Sequence, residues 1–76
     1  METTMYELGV EYRDAPVQWF AAMRTREDAE REARLKSAGP RMVGGQTGQH
    51  HERLAYHVRP FNGEVVSSWA NGERVS

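Results

Sequence analysis

Apolar and polar residues alternate with a period of two in the first third of the chain. From Tyr6 to Tyr12, and again from Val17 to Met23, apolar or aromatic side chains occupy every second position. This period is typical of β-strands with one buried face. Residues 13–16 between the two segments are turn formers, so the sequence predicts a β-hairpin. Its predicted cross-strand pairs are Tyr12 with Val17, Val10 with Trp19, Leu8 with Ala21, and Tyr6 with Met23, which leaves Phe20 on the opposite face.

A helix is predicted from Thr25 to Gly39. Thr25 suits the N-cap because its hydroxyl can accept from the first-turn amides, and Asp28 stands in the capping-box position. The interior is rich in alanine, arginine and glutamate, which are good helix formers. Gly39 followed by Pro40 predicts a C-cap and a stop. Because the apolar stripe is mostly alanine, the large core side chains are expected to come from the sheet.

The second half of the chain predicts another hairpin after a polar connection. Residues 40–53 are glycine-rich and are predicted to be flexible. Apolar residues then alternate from Leu54 to Val58, and Asn62-Gly63 is a strong signal for a two-residue hairpin turn. The predicted pairs are Tyr56 with Trp69, Val58 with Ser67, and Pro60 with Val65. Residues 71–76 are predicted to form a frayed tail or a short extra strand.

These elements predict an α+β fold in the order strand, strand, helix, strand, strand. We expect an antiparallel four-stranded sheet with the helix packed on one face; two separate ribbons that sandwich the helix are the alternative arrangement. A chain of 76 residues has room for a single domain, residues 1–76. Its core is small enough to gain stability from self-association, so a homo-oligomer is expected.

Composition narrows the classes of function. The chain has 10 basic and 11 acidic residues and a net charge of -1, whereas a dedicated nucleic-acid binder is expected to be basic. The absence of cysteine excludes disulfides and thiolate metal sites and favours a reducing compartment. No window approaches the roughly 18 apolar residues of a membrane span. We therefore expect a soluble, cytoplasmic protein that does not bind membranes.

Metal-ligating residue types cluster at His50, His51 and Glu52, with His57 nearby. Adjacent histidines in an extended segment point to opposite sides, whereas a zinc site needs three or four convergent ligands. We therefore predict that these are polar loop residues and that the chain has no metal or other cofactor. If a site were present, His51, His57 and Glu52 would be its ligands.

Two sets of residues are candidate catalytic groups. Glu7 and Glu11 share one strand face and could form an acid and base pair, but solvated strand charges are the commoner case. The predicted register places His57 opposite Ser68, which cross-strand polar pairing explains without catalysis. The sequence therefore predicts a protein that is not an enzyme.

Protein binding is the function that the predicted outer sheet face favours. That face is predicted to carry exposed apolar residues with charged residues beside them, a combination that is typical of interfaces, including those of homo-oligomers. Its predicted partner-binding residues are Phe20, Ala22, Phe61, Val66 and Arg59. The alternative is a nucleic-acid-binding regulator that uses Arg41, Arg53, Arg59 and exposed aromatic side chains. Glu7 and Glu11 on the same face would repel phosphate, which disfavours this alternative.

A general resemblance to known small proteins rests on the segment TREDAEREARLKSAG and on the aromatic strand before it, which contains Trp19 and Phe20. Residues 6–39 resemble small proteins of actinobacteria and their phages that combine a strand hairpin, a threonine-capped helix and a further strand. The resemblance implies an accessory protein that binds and modulates a host protein in the host cytoplasm. It implies no particular functional residue.

Overall fold

A computed structural model describes residues 5–13, 15–39, 42–44 and 50–76. The fold is α+β and contains one helix among these residues, as the sequence predicts. The elements in chain order are β1 (Tyr6–Tyr12), β2 (Gln18–Met23), α1 (Arg26–Ser37), β3 (Met42–Gly44), β4 (His50–Pro60), β5 (Ser67–Ala70) and β6 (Glu73–Arg74).

The sheet is antiparallel and has more strands than predicted. Five strands lie in the order β2, β1, β4, β5, β6, and β3 pairs with the first residues of β4. The prediction of four strands was wrong because β3 and β6 are too short to show a periodic pattern. β1 pairs with both β2 and β4, so the two predicted hairpins form one sheet and not separate ribbons.

A β-bulge at Phe20 changes the predicted register of the first hairpin. Leu8 pairs with Ala21 as predicted, but the next pair is Gly9 with Trp19, so Phe20 has no partner on β1. The predicted pair of Val10 with Trp19 was therefore wrong. Because the extra residue reverses the faces of the β2 side chains on its N-terminal side, Trp19 lies on the outer face, opposite α1. Phe20 lies on the helix side, where its ring contacts Tyr56.

A second bulge lies in β4 at Leu54. Glu11 pairs with Ala55, and Tyr12 pairs with Arg53, so Leu54 has no partner on β1. Regular alternation would place Arg53 on the outer face with Ala55. The bulge instead turns Arg53 toward α1.

The C-terminal end of α1 is held by side chains from elsewhere in the chain. Thr25 is the N-cap and accepts from the amide of Asp28, as predicted. The C-cap is Ala38 rather than the predicted Gly39. The guanidinium of Arg53 donates to the carbonyl oxygens of Ser37 and Gly39, at 3.4 and 2.9 Å. The first bond satisfies a carbonyl group that a helix leaves without a partner at its end, and the second holds the residue that follows the C-cap.

The turn between β4 and β5 differs from the predicted two-residue turn at Asn62-Gly63. In the Pro60–Gly63 turn, the amide of Gly63 donates to the carbonyl of Pro60, and Asn62 has a φ of 57°. The predicted pairs of Tyr56 with Trp69 and Val58 with Ser67 are confirmed. Val65 lies outside β5, so the predicted pair of Pro60 with Val65 does not form.

The C-terminal residues form a strand rather than a frayed tail. Asn71 and Gly72 both have positive φ, at 56° and 79°, which is the pattern of a type I′ hairpin turn. Glu73 and Arg74 follow as β6 and pair with β5. The hydroxyl of Ser37 accepts from the amide of Gly72 at 2.9 Å, so the turn is bound to the end of α1.

The core lies between α1 and the helix side of the sheet. Two alanines of the helix pack in one buried cluster with large side chains from β1 and β4. Its members are Leu8, Val10, Ala29, Ala33, Tyr56 and Val58. No helix among the described residues is long and apolar enough to cross a membrane.

Candidate binding groove

An open groove lies beside β2, near the C-terminal end of α1. It has a volume of about 260 Å³ and is lined by Val10, Tyr12, Gln18, Phe20, Lys36 and Tyr56. We call it the β2 groove. Three of its six lining residues are aromatic, and two of the others, Gln18 and Lys36, place polar groups at its rim.

Phe20 is the most accessible aromatic side chain of the β2 groove, with 49% of its surface exposed. Its ring meets that of Tyr56 edge to face, with the centroids 6.2 Å apart and the planes at 68°. The Nζ atom of Lys36 lies 6.0 Å from the centroid of Phe20. The Phe20 bulge therefore places an aromatic ring in the groove that regular alternation would have placed on the outer face.

β2 is an edge strand of the described sheet. Its pairing partner is β1, and no other described strand lies along it. An edge strand carries unpaired N–H and C=O groups that can pair with another chain. The β2 groove and this free edge lie side by side because Gln18 and Phe20 belong to both.

The charges around the β2 groove are positive. Arg53 is only 9% exposed, and its guanidinium carbon lies 5.0 Å from the centroid of the Tyr56 ring. It also donates to the Tyr56 hydroxyl at 3.4 Å. Among the described residues, neither Arg53 nor Lys36 forms an ion pair with a carboxylate. The groove therefore has a cation at its rim, another behind one of its aromatic walls, and no acidic residue in its lining.

The outer face of the sheet carries a chain of hydrogen bonds across three strands. His57 on β4 bonds through Nε2 to the carboxylate of Glu11 on β1, at 2.8 Å, and through Nδ1 to the hydroxyl of Ser68 on β5, at 2.7 Å. A carboxylate only accepts, so Nε2 donates to Glu11, and Nδ1 shares the second hydrogen bond with the Ser68 hydroxyl.

The residue types and their order are those of a serine, histidine and acid nucleophile system. Ser68 is only 7% exposed, however, and lies on a sheet face outside the β2 groove. This low exposure favours a role in joining the three strands.

A second cluster on the outer face surrounds Gly9. Arg59 bonds to the carboxylate of Glu7 at 2.9 Å, and its guanidinium carbon lies 3.9 Å from the centroid of Trp19. The indole covers Gly9 so closely that an added Cβ would lie 2.6 Å from its Cε3 atom. The outer face is therefore tightly packed at this point.

The structure does not gather the predicted partner-binding residues into one patch. Phe20 lies in the β2 groove, whereas Ala22 and Arg59 lie on the outer face. Phe61 lies in the turn after β4 and is 62% exposed, and Val66 packs against the core. Their placement on a common face was wrong because the Phe20 bulge and the core contact of Val66 separate them. Their role in binding stays a prediction.

The predicted metal and nucleic-acid residues are only partly described. The side chains of His50 and His51, and the whole of Arg41, lie outside the described residues. Glu52 forms an ion pair with Arg13 at 2.7 Å. No group of three metal-ligating side chains occurs among those that the structure describes.

Several residues of the β2 groove escaped the sequence prediction. The sequence predicts only strand pairs for Tyr12 and Tyr56, and no sequence pattern assigns Lys36 to a binding surface. Their meeting depends on the two bulges, since Phe20 and Arg53 would otherwise face away from α1. The sequence contains no pattern that marks either bulge.

The chain matches no protein-family model, and no curated protein or solved structure matches it either.

Proposed function

We propose that this chain is a non-enzymatic protein-binding module, and that a partner's extended segment binds along β2 with one side chain in the β2 groove. The observation that carries this proposal is an aromatic-lined groove directly beside an unpaired strand edge. The resemblance of residues 6–39 to actinobacterial and phage proteins makes a host protein the expected partner.

Strand addition explains why the groove and the edge belong together. An added strand gains affinity from backbone hydrogen bonds and specificity from alternate side chains that enter pockets. The groove volume of about 260 Å³ lies below the roughly 300 to 1,000 Å³ of small-molecule sites and suits one large side chain. The Phe20 bulge interrupts the regular edge, so much of the affinity must come from the groove.

Nucleic-acid binding is less well supported than protein binding, because Arg53 and Arg59 are already held by contacts within the protein. Arg53 is buried against α1, and Arg59 is bound to Glu7 and stacked on Trp19. Phosphate contacts need accessible cations. Neither guanidinium therefore offers the open basic surface that the alternative requires.

Selection from a random peptide display library against the immobilised protein tests the proposal. We expect enriched peptides to bind the wild-type protein and to lose at least tenfold in affinity for the Phe20→Ala variant. Phe61→Ala is the matched control. It removes another exposed phenylalanine that the sequence predicted to bind a partner, but one that lies in the turn after β4 and not in the β2 groove. Circular dichroism and thermal melts check that both variants are folded.

The outcomes separate the possible surfaces. Loss of binding in Phe20→Ala alone supports the β2 groove, as does slower amide hydrogen exchange in β2 on binding. Equal binding by wild type and Phe20→Ala would overturn the proposal, and so would a library that yields no binder. Light scattering at two concentrations shows whether a second copy of the chain occupies the groove; if it does, Phe20→Ala abolishes self-association.

A further inference from the structure

We infer that the segment bound in the β2 groove carries a large aromatic or aliphatic side chain and, two residues away, a carboxylate. This inference rests on the proposed function and names the chemistry of the partner. Its basis is the pairing of an apolar groove with cations that no described carboxylate neutralises.

The apolar side chain of the bound segment is inferred from the residues that line the β2 groove. Tyr56 and Phe20 form an edge-to-face pair, and Val10 and Tyr12 complete the apolar surface. Aromatic rings prefer offset or edge-to-face neighbours at centroid distances of about 4.5 to 7 Å. A partner side chain with a large flat or branched apolar surface therefore fits this lining best.

The acidic half follows from the charges. Lys36 stands at the rim, is exposed, and forms no ion pair among the described residues. Arg53 adds a buried positive charge behind Tyr56, and its hydrogen bonds to described residues go to neutral oxygen atoms. Complementary charge across an interface favours a partner of the opposite sign and disfavours a basic one.

The spacing of two residues follows from the geometry of an added strand. Alternate side chains of a strand point to the same face and lie about 6.8 Å apart. The distance from Phe20 to the Lys36 ammonium is similar, at 6.0 Å to the ring centroid. A side chain that contacts Phe20 and a carboxylate two residues away can therefore reach both groups at once.

Synthetic five-residue peptides, acetylated and amidated, test the inference by isothermal titration or fluorescence polarisation. The probes carry a central tryptophan among threonines, with one glutamate two residues before or two residues after it. Comparison peptides replace the glutamate by glutamine, move it next to the tryptophan, or replace the tryptophan by alanine. At least one orientation of the probe is expected to bind about two- to fivefold more tightly than its glutamine counterpart at low salt. The difference should shrink as salt screens the charges.

Charge reversal on the protein provides the matched pair of variants. Lys36→Glu should remove the preference for glutamate and create a preference for a lysine peptide. Arg34→Glu makes the same change of charge in the same last turn of α1, but Arg34 does not line the groove. The Arg34→Glu variant should therefore keep the peptide preference of the wild-type protein.

Each outcome decides one claim. If the glutamate and glutamine peptides bind equally well to the wild type, the inference is overturned while the proposed function stands. If no tryptophan peptide binds and display selection also fails, both are overturned. Binding of a ten-nucleotide thymidine oligomer that Lys36→Glu abolishes would overturn the inference in favour of a nucleic acid.

Discussion

At the scale of single residues, Arg53 has the most demanding environment among the described residues. It is a nearly buried guanidinium that donates to the Ser37 and Gly39 carbonyls and to the Tyr56 hydroxyl. A charge in this position is tolerated because several hydrogen bonds compensate for lost hydration. The same side chain closes the end of α1 and supports one wall of the β2 groove.

Arg53→Met is expected to lower the free energy of unfolding by about 2–3 kcal/mol, because it leaves buried carbonyl oxygens without donors. Urea denaturation followed by circular dichroism measures the loss. Arg53→Lys keeps the charge but offers no planar set of donors, so it should recover only part of the stability. A methionine variant as stable as the wild type would show that Arg53 does not stabilise the helix end.

Gly9 illustrates a close approach that only glycine permits. Gly9→Ala would place a methyl group 2.6 Å from Trp19 and 2.8 Å from Val17, and we expect a loss of about 1–3 kcal/mol. The displaced indole should also leave Arg59, which a change in tryptophan emission would report. Gly39→Ala is the control, since its nearest neighbour would be a carbonyl oxygen at 3.4 Å. Equal losses in the two variants would contradict the packing argument.

Glu30 links stability to pH. Burial alone would raise its pKa, but the hydroxyl of Ser67 and the nearby Arg26 and Arg74 outweigh that effect and hold the pKa below its ordinary value of 4.5. A carboxyl with a lowered pKa in the folded state stabilises the fold above its unfolded value, and this contribution is lost as pH falls through the folded value.

Glu30→Gln should therefore lose less stability than the wild type between neutral pH and about pH 3. Thermal or urea unfolding across this range measures the difference. Parallel pH profiles for the two proteins would show that Glu30 makes no such contribution.

At the scale of elements, local signals were sufficient for β1, β2, α1 and the register of β4 with β5. Alternation, the Thr25 cap and the paired apolar positions act within a few residues, so the sequence displays them directly. The two bulges and the capping of α1 by Arg53 depend on contacts between distant segments. For that reason the sequence predicted the sheet and the helix but not the groove between them.

The two Asn-Gly dipeptides form turns of different types. At Asn62-Gly63 the turn is centred on Phe61 and Asn62, because Gly63 donates back to Pro60. At Asn71-Gly72 both residues take positive φ and form the two-residue hairpin that this dipeptide favours. The sequence predicted a turn only at Asn62-Gly63, whereas residues 71–72, where order was expected to end, form the hairpin turn that leads into β6.

Gly72→Ala should destabilise the protein by about 1–3 kcal/mol, since its φ of 79° is strained for alanine. The added Cβ would also lie 3.2 Å from that of Ala38. Faster amide exchange at Val75 and Ser68 would locate the effect in the β5 and β6 pairing. Asn71→Gly, which keeps the permitted conformation, should change stability far less, and a comparable loss there would contradict this account of the turn.

At the scale of the whole molecule, the two faces of the sheet have different roles. The helix side contains the core and the β2 groove, whereas the outer face is fixed by polar contacts across neighbouring strands. Glu11, His57 and Ser68 come from β1, β4 and β5, so their bonds join β4 both to the next strand and to β1, with Glu11 and His57 46 residues apart in sequence. Such a network is expected to resist shearing of the sheet.

A double-mutant cycle can measure this network. Glu11→Gln and Ser68→Ala both change partners of the same imidazole, so we expect a coupling energy of about 0.5–1 kcal/mol although Glu11 and Ser68 bond to opposite ring nitrogens. Urea denaturation of the single and double variants gives the value. Strict additivity would show that the two hydrogen bonds are independent.

The Phe20 bulge also bears on the open-ended stacking of identical chains. A flat, regular strand edge is a template on which identical chains stack into filaments, and a bulge spoils that template. The opposite edge, β6, is only two residues long and both are charged, which has the same effect. A bulged β2 edge and a short charged β6 edge both disfavour such stacking, so the irregularity that places Phe20 in the groove is also expected to reduce aggregation.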